Sequence, residues 1–335
     1  MNKEELSALT EKIAALIEYE RSVNPDIESL KPEHAPLFAQ IISNYNLEKS
    51  TNPYPSAEMI YLGAPTGAGK DTLVRKIIKD NPDKNYVVLN MDMFRHYHDE
   101  IIGQDEEISD REFAHKTNQT SYAIYYMIQE IILEEFPGTN VIVTGTMKDL
   151  DWVKEIVSRY KNASKTNYSI SLATLAVPIN ESAFSIFERY LHMVNTRDES
   201  GSPLRYTDLS YHNDTTKEFI SNVQFFESDL HQNKHDSFFD SIKVYRRNSN
   251  IFDLTEKTLI YDSVNPDPAK CASAHLHDIM YSTHEISPAR ISGLLDIVKD
   301  NSEYLKAQGL YKDVLIGLEQ TLPILGREES QDVLK

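Results

Sequence analysis

The stretch MIYLGAPTGAGKDTLVRKIIK, residues 59–79, decides the fold. Met59 to Gly63 is a short apolar run rich in β-forming side chains, which predicts a buried parallel strand. Gly67, Ala68 and Gly69 follow, and they are small enough for the backbone to curl around an anion. From Lys70 onward Leu73, Val74, Ile77 and Ile78 recur at helical spacing. Strand, glycine-rich turn and helix in that order aim backbone N–H groups and the positive end of a helix dipole at one point, where Lys70 adds a full charge. That point suits the β- and γ-phosphates of a nucleotide.

The stretch fits the phosphate-loop pattern G-x-x-x-x-G-K-[ST] with two offsets. Counted back from Gly69-Lys70, the first glycine falls on Ala64, with Gly63 just before it. The hydroxyl position falls on Asp71, and Thr72 comes one residue later, as in loops of the adenylate-kinase style. The nucleotide-binding set is therefore Gly63, Ala64, Thr66, Gly67, Ala68, Gly69, Lys70, Asp71 and Thr72. Magnesium would be held by Asp71, by Thr72 or mainly through water.

A chain of 335 residues can bury a large core, as one big domain with additions or as two. Its net charge of -18 with no basic run argues against a nucleic-acid or anionic-membrane binder, so a phosphate must be met by a few local cations. The one cysteine, Cys271, excludes an internal disulfide and fits a reducing, cytoplasmic setting. No apolar run reaches the ~20 residues of a membrane span, and the charged N-terminal stretch is not a secretory signal.

Before the loop, Leu6, Leu9, Ile13, Leu16 and Ile17 form one stripe of a helix over Lys3 to Val23, and a second helix is expected from Pro36 to Tyr45. A polar, proline-containing linker leads from there to the first strand. After the loop, Asn85 to Met91 predicts a strand that delivers Asp92 and Arg95 at its C-terminal end, with His98 close by. Ligands of open α/β sheets bind at that edge. Asp92 there either caps a helix or serves chemistry, accepting a hydroxyl proton or helping to place magnesium. A long helix is expected from Arg111 to Glu135, then a strand from Asn140 to Val143 running into Thr144, Thr146 and Lys148. A helix over Asp149 to Tyr160 and a strand over Tyr168 to Val177 repeat the rhythm of a doubly wound parallel sheet. The helix Glu181 to Val194 carries Arg189, and a polar loop after it carries Arg197 and Arg205, in the manner of a kinase lid. A helix from Thr215 to His231, a strand from Ser241 to Tyr245 with Arg246-Arg247 beyond it, and further helices after Asp267 complete the chain. Residues past Gly326 are polar.

These motifs, in this order, resemble the zeta-toxin family of bacterial toxin–antitoxin kinases. The resemblance rests on the phosphate loop, Asp92 with Arg95 and His98, the strand ending in Gly145-Thr146, Ser182, Glu188-Arg189-Tyr190, Arg205, and His212 with Asp214. It covers residues 57–254, which gives an extension of helices over 1–50, a kinase domain of phosphate-loop type, and a helical region over 265–326. The resemblance implies ATP and Mg2+ as cofactors, and a hydroxyl of UDP-N-acetylglucosamine as acceptor. In the family the lysine matching Lys70 binds phosphates, the aspartate matching Asp92 is the base, and the arginines matching Arg189 and Arg205 contact ATP across the lid. Arg95, His98, Thr144, Thr146 and Lys148 are then the substrate contacts. Thr144 stands where the family usually has a glutamate, and Lys148 where it often has an arginine. A small helical antitoxin covers the nucleotide site in the family, so residues 3–45 are a candidate inhibitor in cis or simply a packing layer.

Three functions follow from this reading: a nucleotide-sugar kinase acting as a toxin; a kinase for a dinucleotide, an antibiotic or a nucleoside monophosphate; or a non-catalytic nucleotide-binding module. Lys70, Asp92, Arg189 and Arg205 in matching order argue against the last.

Overall fold

A computed structural model describes residues 1–45, 47, 50, 52, 54–103, 108–197, 204–233, 236–247, 257–266, 270–282 and 284–321. The chain opens with α1 (Lys3–Val23), capped by Asn2 and Glu5 in a reciprocal box, and α2 (Ala35–Asn44). Strand β1 (Ser56–Gly63) leads into α3 (Lys70–Asp80), which begins on Gly69 in the left-handed region, φ 92°. Next come β2 (Tyr86–Asn90), a 3-10 turn over Met91–Tyr97, and the short α4 (His98–Ile102).

The long helix expected from Arg111 to Glu135 is two helices, α5 (Asp110–Lys116) and α6 (Asn118–Glu135). A side chain from elsewhere in the fold makes the break. Arg95 Nη1 donates to the Ala114 carbonyl at 2.6 Å and to Thr117 Oγ1 at 3.0 Å, taking a carbonyl that a continuous helix would use for its own ladder.

Strand β3 (Asn140–Gly145), α7 (Leu150–Lys161), β4 (Asn167–Ala176), α8 (Ile179–Thr196), α9 (Leu209–Gln232) and β5 (Ser241–Arg247) continue the alternation. A strand the pattern did not announce, β6 (Lys257–Asp262), adds to β5 in antiparallel fashion. The end is helical: α10 (Ala272–Met280), α11 (Pro288–Asp300), α12 (Ser302–Ala307) and α13 (Tyr311–Thr321). The expected polar stretch past Gly326 lies outside the described residues, as do 248–254 of the expected kinase domain and 198–203 of the lid loop.

The sheet order is β2-β3-β1-β4-β5-β6, with the first five strands parallel. β1 lies between β3 and β4, so every parallel strand delivers its C-terminal end to one edge, and the strand order switches beside β1. The side chains of β1 alternate. Met59 and Tyr61 enter the large core shared with α6, α1 and α2, while Ile60 and Leu62 pack on Leu73, Val74 and Ile77 of α3. A third cluster joins Phe184, Phe187 and Leu191 of α8 to Leu294, Leu305 and Leu315 of the last helices. Among the described residues no helix is long and apolar enough to cross a membrane.

Candidate active site

A cleft of about 570 Å³ opens at the C-terminal edge of the parallel strands, within the range of small-molecule sites. The phosphate loop forms one wall. Gly67 (φ 78°) packs so tightly on the start of α8 that a β-carbon there would lie 2.0 Å from the Ser182 carbonyl oxygen, so no other residue fits. Ser182 is itself braced, its Oγ 2.9 Å from His212 Nε2, and burial pulls the His212 imidazole down to about 4. The pair Ser182 and His212, part of the sequence resemblance, thus supports the loop from behind.

Lys70 folds back over this loop and donates to the carbonyls of Ala64 (2.9 Å) and Pro65 (3.2 Å). Burial pulls its ammonium down to about 8 against the opposing pull of Asp71 and Asp92, with Arg189 and Arg205 adding to the effect. Arg189 and Arg205 approach the same point from α8 and from the segment before α9. Among the described residues each has a buried Nε without a hydrogen-bond partner, and Arg189 otherwise bonds Thr207 Oγ1 at 3.4 Å. Burial and the neighbouring Arg205 lower the Arg189 guanidinium from its usual value. Cations with unused donors are suited to an anion, because a multiply charged oxyanion would supply acceptors for them.

Asp92 sits beside Arg205, in the turn after β2. Arg95 Nε donates to its Oδ1 at 2.9 Å, and Arg205 Nη1 donates to its Oδ2. Burial pushes the Asp92 carboxyl up, but the guanidiniums of Arg205 and Arg95 outweigh this and hold it below the usual carboxylate range.

Lys70, Asp71, Thr72, Asp92, Arg95, Thr144, Thr146, Lys148, Arg189 and Arg205 all line this one cleft, with Thr66, Gly67 and Gly69 of the loop. Gly63, Ala64 and Ala68 lie behind it as loop framework. Thr144, next to last in β3, has a buried hydroxyl with no partner among the described residues, and Lys148 stacks its ammonium 4.8 Å from the Tyr211 ring centre. His98 is not among the lining residues; its Nδ1 lies 2.9 Å from Thr120 Oγ1. Arg95 lines the wall, yet its three nitrogens serve Asp92, Ala114, Thr117 and Asn118, so it shapes the site from within the protein. Arg197 lies over the Tyr304 ring at 3.8 Å from its centre.

Several lining residues had no place in the sequence reading. Arg75, one helical turn beyond Asp71 and Thr72, reaches Thr72 Oγ1 at 3.4 Å. Its spacing on α3 was a usable signal. Asn118 and Tyr122 share the cleft-facing stripe of α6, and Asn90, Trp152 and Tyr211 also line the cleft. Arg247, noted in the sequence only as a residue beyond a strand, was given no role there. It is fully buried, with Nη1 on the Gly67 carbonyl (2.9 Å) and Nη2 on Glu181 Oε1 (2.9 Å) and Ser185 Oγ (3.0 Å).

The sequence model of the family described as Zeta toxin matches residues 44–263, more than half of the chain. Among solved structures the chain is similar to one from the PezAT chromosomal toxin–antitoxin system of the human pathogen Streptococcus pneumoniae, at 19% identity over 85% of this chain and 97% of that one, TM-score 0.54. It is also similar to AvrRxo1-ORF1:AvrRxo1-ORF2 with sulphate ions (12% identity, 87% and 86% covered, TM-score 0.50). A third likeness is to AvrRxo1-ORF1:-ORF2 with ATP (11% identity, 91% and 90% covered, TM-score 0.50). At these identities the likeness to solved structures is one of fold, a mostly parallel six-stranded sheet flanked by helices. None of the curated proteins matches the chain.

Proposed function

We propose, from the premise that this chain belongs to the zeta-toxin family, that it is a kinase using ATP to phosphorylate a hydroxyl of a small molecule, with a nucleotide sugar such as UDP-N-acetylglucosamine as the first acceptor to test. The observation that carries the reading is the convergence of Lys70, Arg189 and Arg205 on one part of a cleft, with the Asp92 carboxylate bonded to Arg205 beside them. The ATP in one similar structure supports the donor. Membership in a toxin family supports a toxic outcome and an antitoxin protein as partner.

Phosphoryl transfer needs positioning and charge neutralisation more than covalent help. The triphosphate would lie along the loop, where Lys70 turns from the Ala64 and Pro65 carbonyls to phosphate oxygens. Arg189 and Arg205 take the γ-phosphoryl oxygens, and Arg205 must then give up Asp92 Oδ2. That oxygen becomes the acceptor for the hydroxyl proton as the alcohol oxygen bonds to γ-phosphorus and the bond to the β-bridging oxygen breaks. ADP and the phosphorylated alcohol are the products. Arg95 keeps its grip on Oδ1 throughout and fixes the carboxylate plane.

Magnesium fits the donor set. Asp71 and Thr72 put a carboxylate and a hydroxyl on the cleft wall at the first turn of α3, oxygen ligands of the type this ion shares with phosphates and water. When bound there, it would spread the charge of the β- and γ-phosphates. Among the described residues no group of three His, Cys, Asp or Glu side chains gathers to hold a metal by itself.

The unpaired buried hydroxyl of Thr144, in place of a carboxylate, favours one further reading, a kinase of the same mechanism for another alcohol. Incubation with ATP and a panel of nucleotide sugars, dinucleotides, nucleosides and aminoglycosides, read by a mass gain of one phosphate, identifies the acceptor. Asp92→Asn should abolish that gain while ATP still binds. A fully active Asp92→Asn protein would refute the mechanism.

A further inference from the structure

Arg290 lies on α11, beyond the residues matched to the family, and the proposal made from it rests on the nucleotide reading above. Its guanidinium grips two carboxylates of α8. Nε and Nη2 hold Glu188 with two parallel bonds of 3.1 and 2.9 Å, and Nη1 holds Glu181 at 2.9 and 3.1 Å. Glu181 is fully buried and also pairs with Arg247, whose other nitrogen supports the Gly67 carbonyl in the phosphate loop. Two arginines and two glutamates therefore form a neutral chain from the last helices to the loop.

Glu188 is the member that matters for the ligand. It lines the cleft and is the chain neighbour of Arg189, whose Nε has no partner among the described residues. A free carboxylate at that place would pair with Arg189 or repel a triphosphate. With Arg290 on both its oxygens it does neither.

We infer that Arg290 is a positioning residue for the nucleotide site: by holding Glu188 it keeps the phosphate end of the cleft cationic, and by sharing Glu181 with Arg247 it steadies the loop. The last helices thus contribute to ligand affinity without touching the ligand.

The test measures ATP dissociation constants by calorimetry on the full chain, apart from any acceptor. Arg290→Gln should weaken ATP on the order of tenfold, the effect of one uncompensated charge nearby. The double variant Arg290→Gln with Glu188→Gln should recover most of that loss, because the released negative charge is gone. Unchanged affinity in Arg290→Gln would overturn the inference. So would a loss that Glu188→Gln does not repair, since that is the mark of packing alone. If Arg290→Gln does not fold, Arg290→Lys keeps a charge beside Glu181 and gives up the two-pronged grip on Glu188, and the same pair of outcomes decides. A parent protein that binds no ATP would refute the nucleotide reading itself, a separate result.

Discussion

Residues 1–45 and residues 284–321 both add helices outside the alternating core, and they attach by opposite chemistry. The N-terminal pair lies along α6 and is held by apolar side chains, among them Ile13, Ile17, Phe38 and Ile42, with few polar ties. Tyr126 donates to Glu20 at 2.8 Å and Lys12 meets Glu135 at 2.5 Å. None of these residues lines the cleft. The C-terminal helices also bury leucines against α8, but buried polar groups tie them to the site. Arg290 holds Glu181 and Glu188, and Tyr304 donates to Asp110 at 2.8 Å. Asp110 also accepts from Tyr190 and from the Leu204 N–H just ahead of Arg205. An apolar layer adds stability without direction, whereas hydrogen-bonded charges fix where an atom sits. The last helices should therefore influence ligand binding, and the first should not.

The scale for ligand binding is set by Lys70→Met, the largest effect on affinity. ATP affinity should fall by at least about a hundredfold, the loss of a charge-assisted contact in a buried site. The ligand-free protein should nonetheless be no less stable than the parent in urea, because the buried ammonium costs stability. Glu181→Ala comes next. It leaves the fully buried Arg247 without its carboxylate and should cost about 3–5 kcal/mol by urea titration. A cost below about 1 kcal/mol would show that the clasp is not what holds the C-terminal layer.

The comparison itself is tested by a matched pair. Ile17→Ala in the first layer and Leu305→Ala in the last each remove a fully buried side chain, and each should cost about 2–4 kcal/mol. Only Leu305→Ala, beside Tyr304, should also weaken ATP. A rise in turnover in Ile17→Ala would instead mean that residues 1–45 restrain the site in cis. The smallest effect is one of pH. Lys70 has a folded value of about 8 against 10.5 when exposed, so the unfolded chain holds the proton more tightly and stability from this group rises as pH climbs from about 8 to 10.5. Between pH 7 and 9 the parent should gain about 1 kcal/mol relative to Lys70→Met.

What could be read from the sequence was local and periodic. Strand β1, the loop and α3 announce themselves because alternation, small residues and helical spacing are properties of neighbours. Lys70 followed from the glycine-rich turn, Asp92 from a strand end, Arg205 from a polar loop and Arg189 from the family resemblance, and the structure puts all four on one cleft. What stayed hidden depended on partners far along the chain. Thr117 breaks a helix because Arg95, 22 positions earlier, reaches it. Arg247 looks like an exposed cation after a strand until Glu181, 66 positions away, meets it in the interior. The β6 pairing is antiparallel and so outside the alternating rhythm that revealed the other strands.

The contact between Arg205 and Asp92 bears on the order of events in a catalytic cycle. On the proposed reading an alcohol that enters first meets a carboxylate already spoken for, and nothing draws off its proton. ATP must lead and the acceptor follow, so steady-state kinetics should show compulsory ordered addition, with ADP the last product to depart.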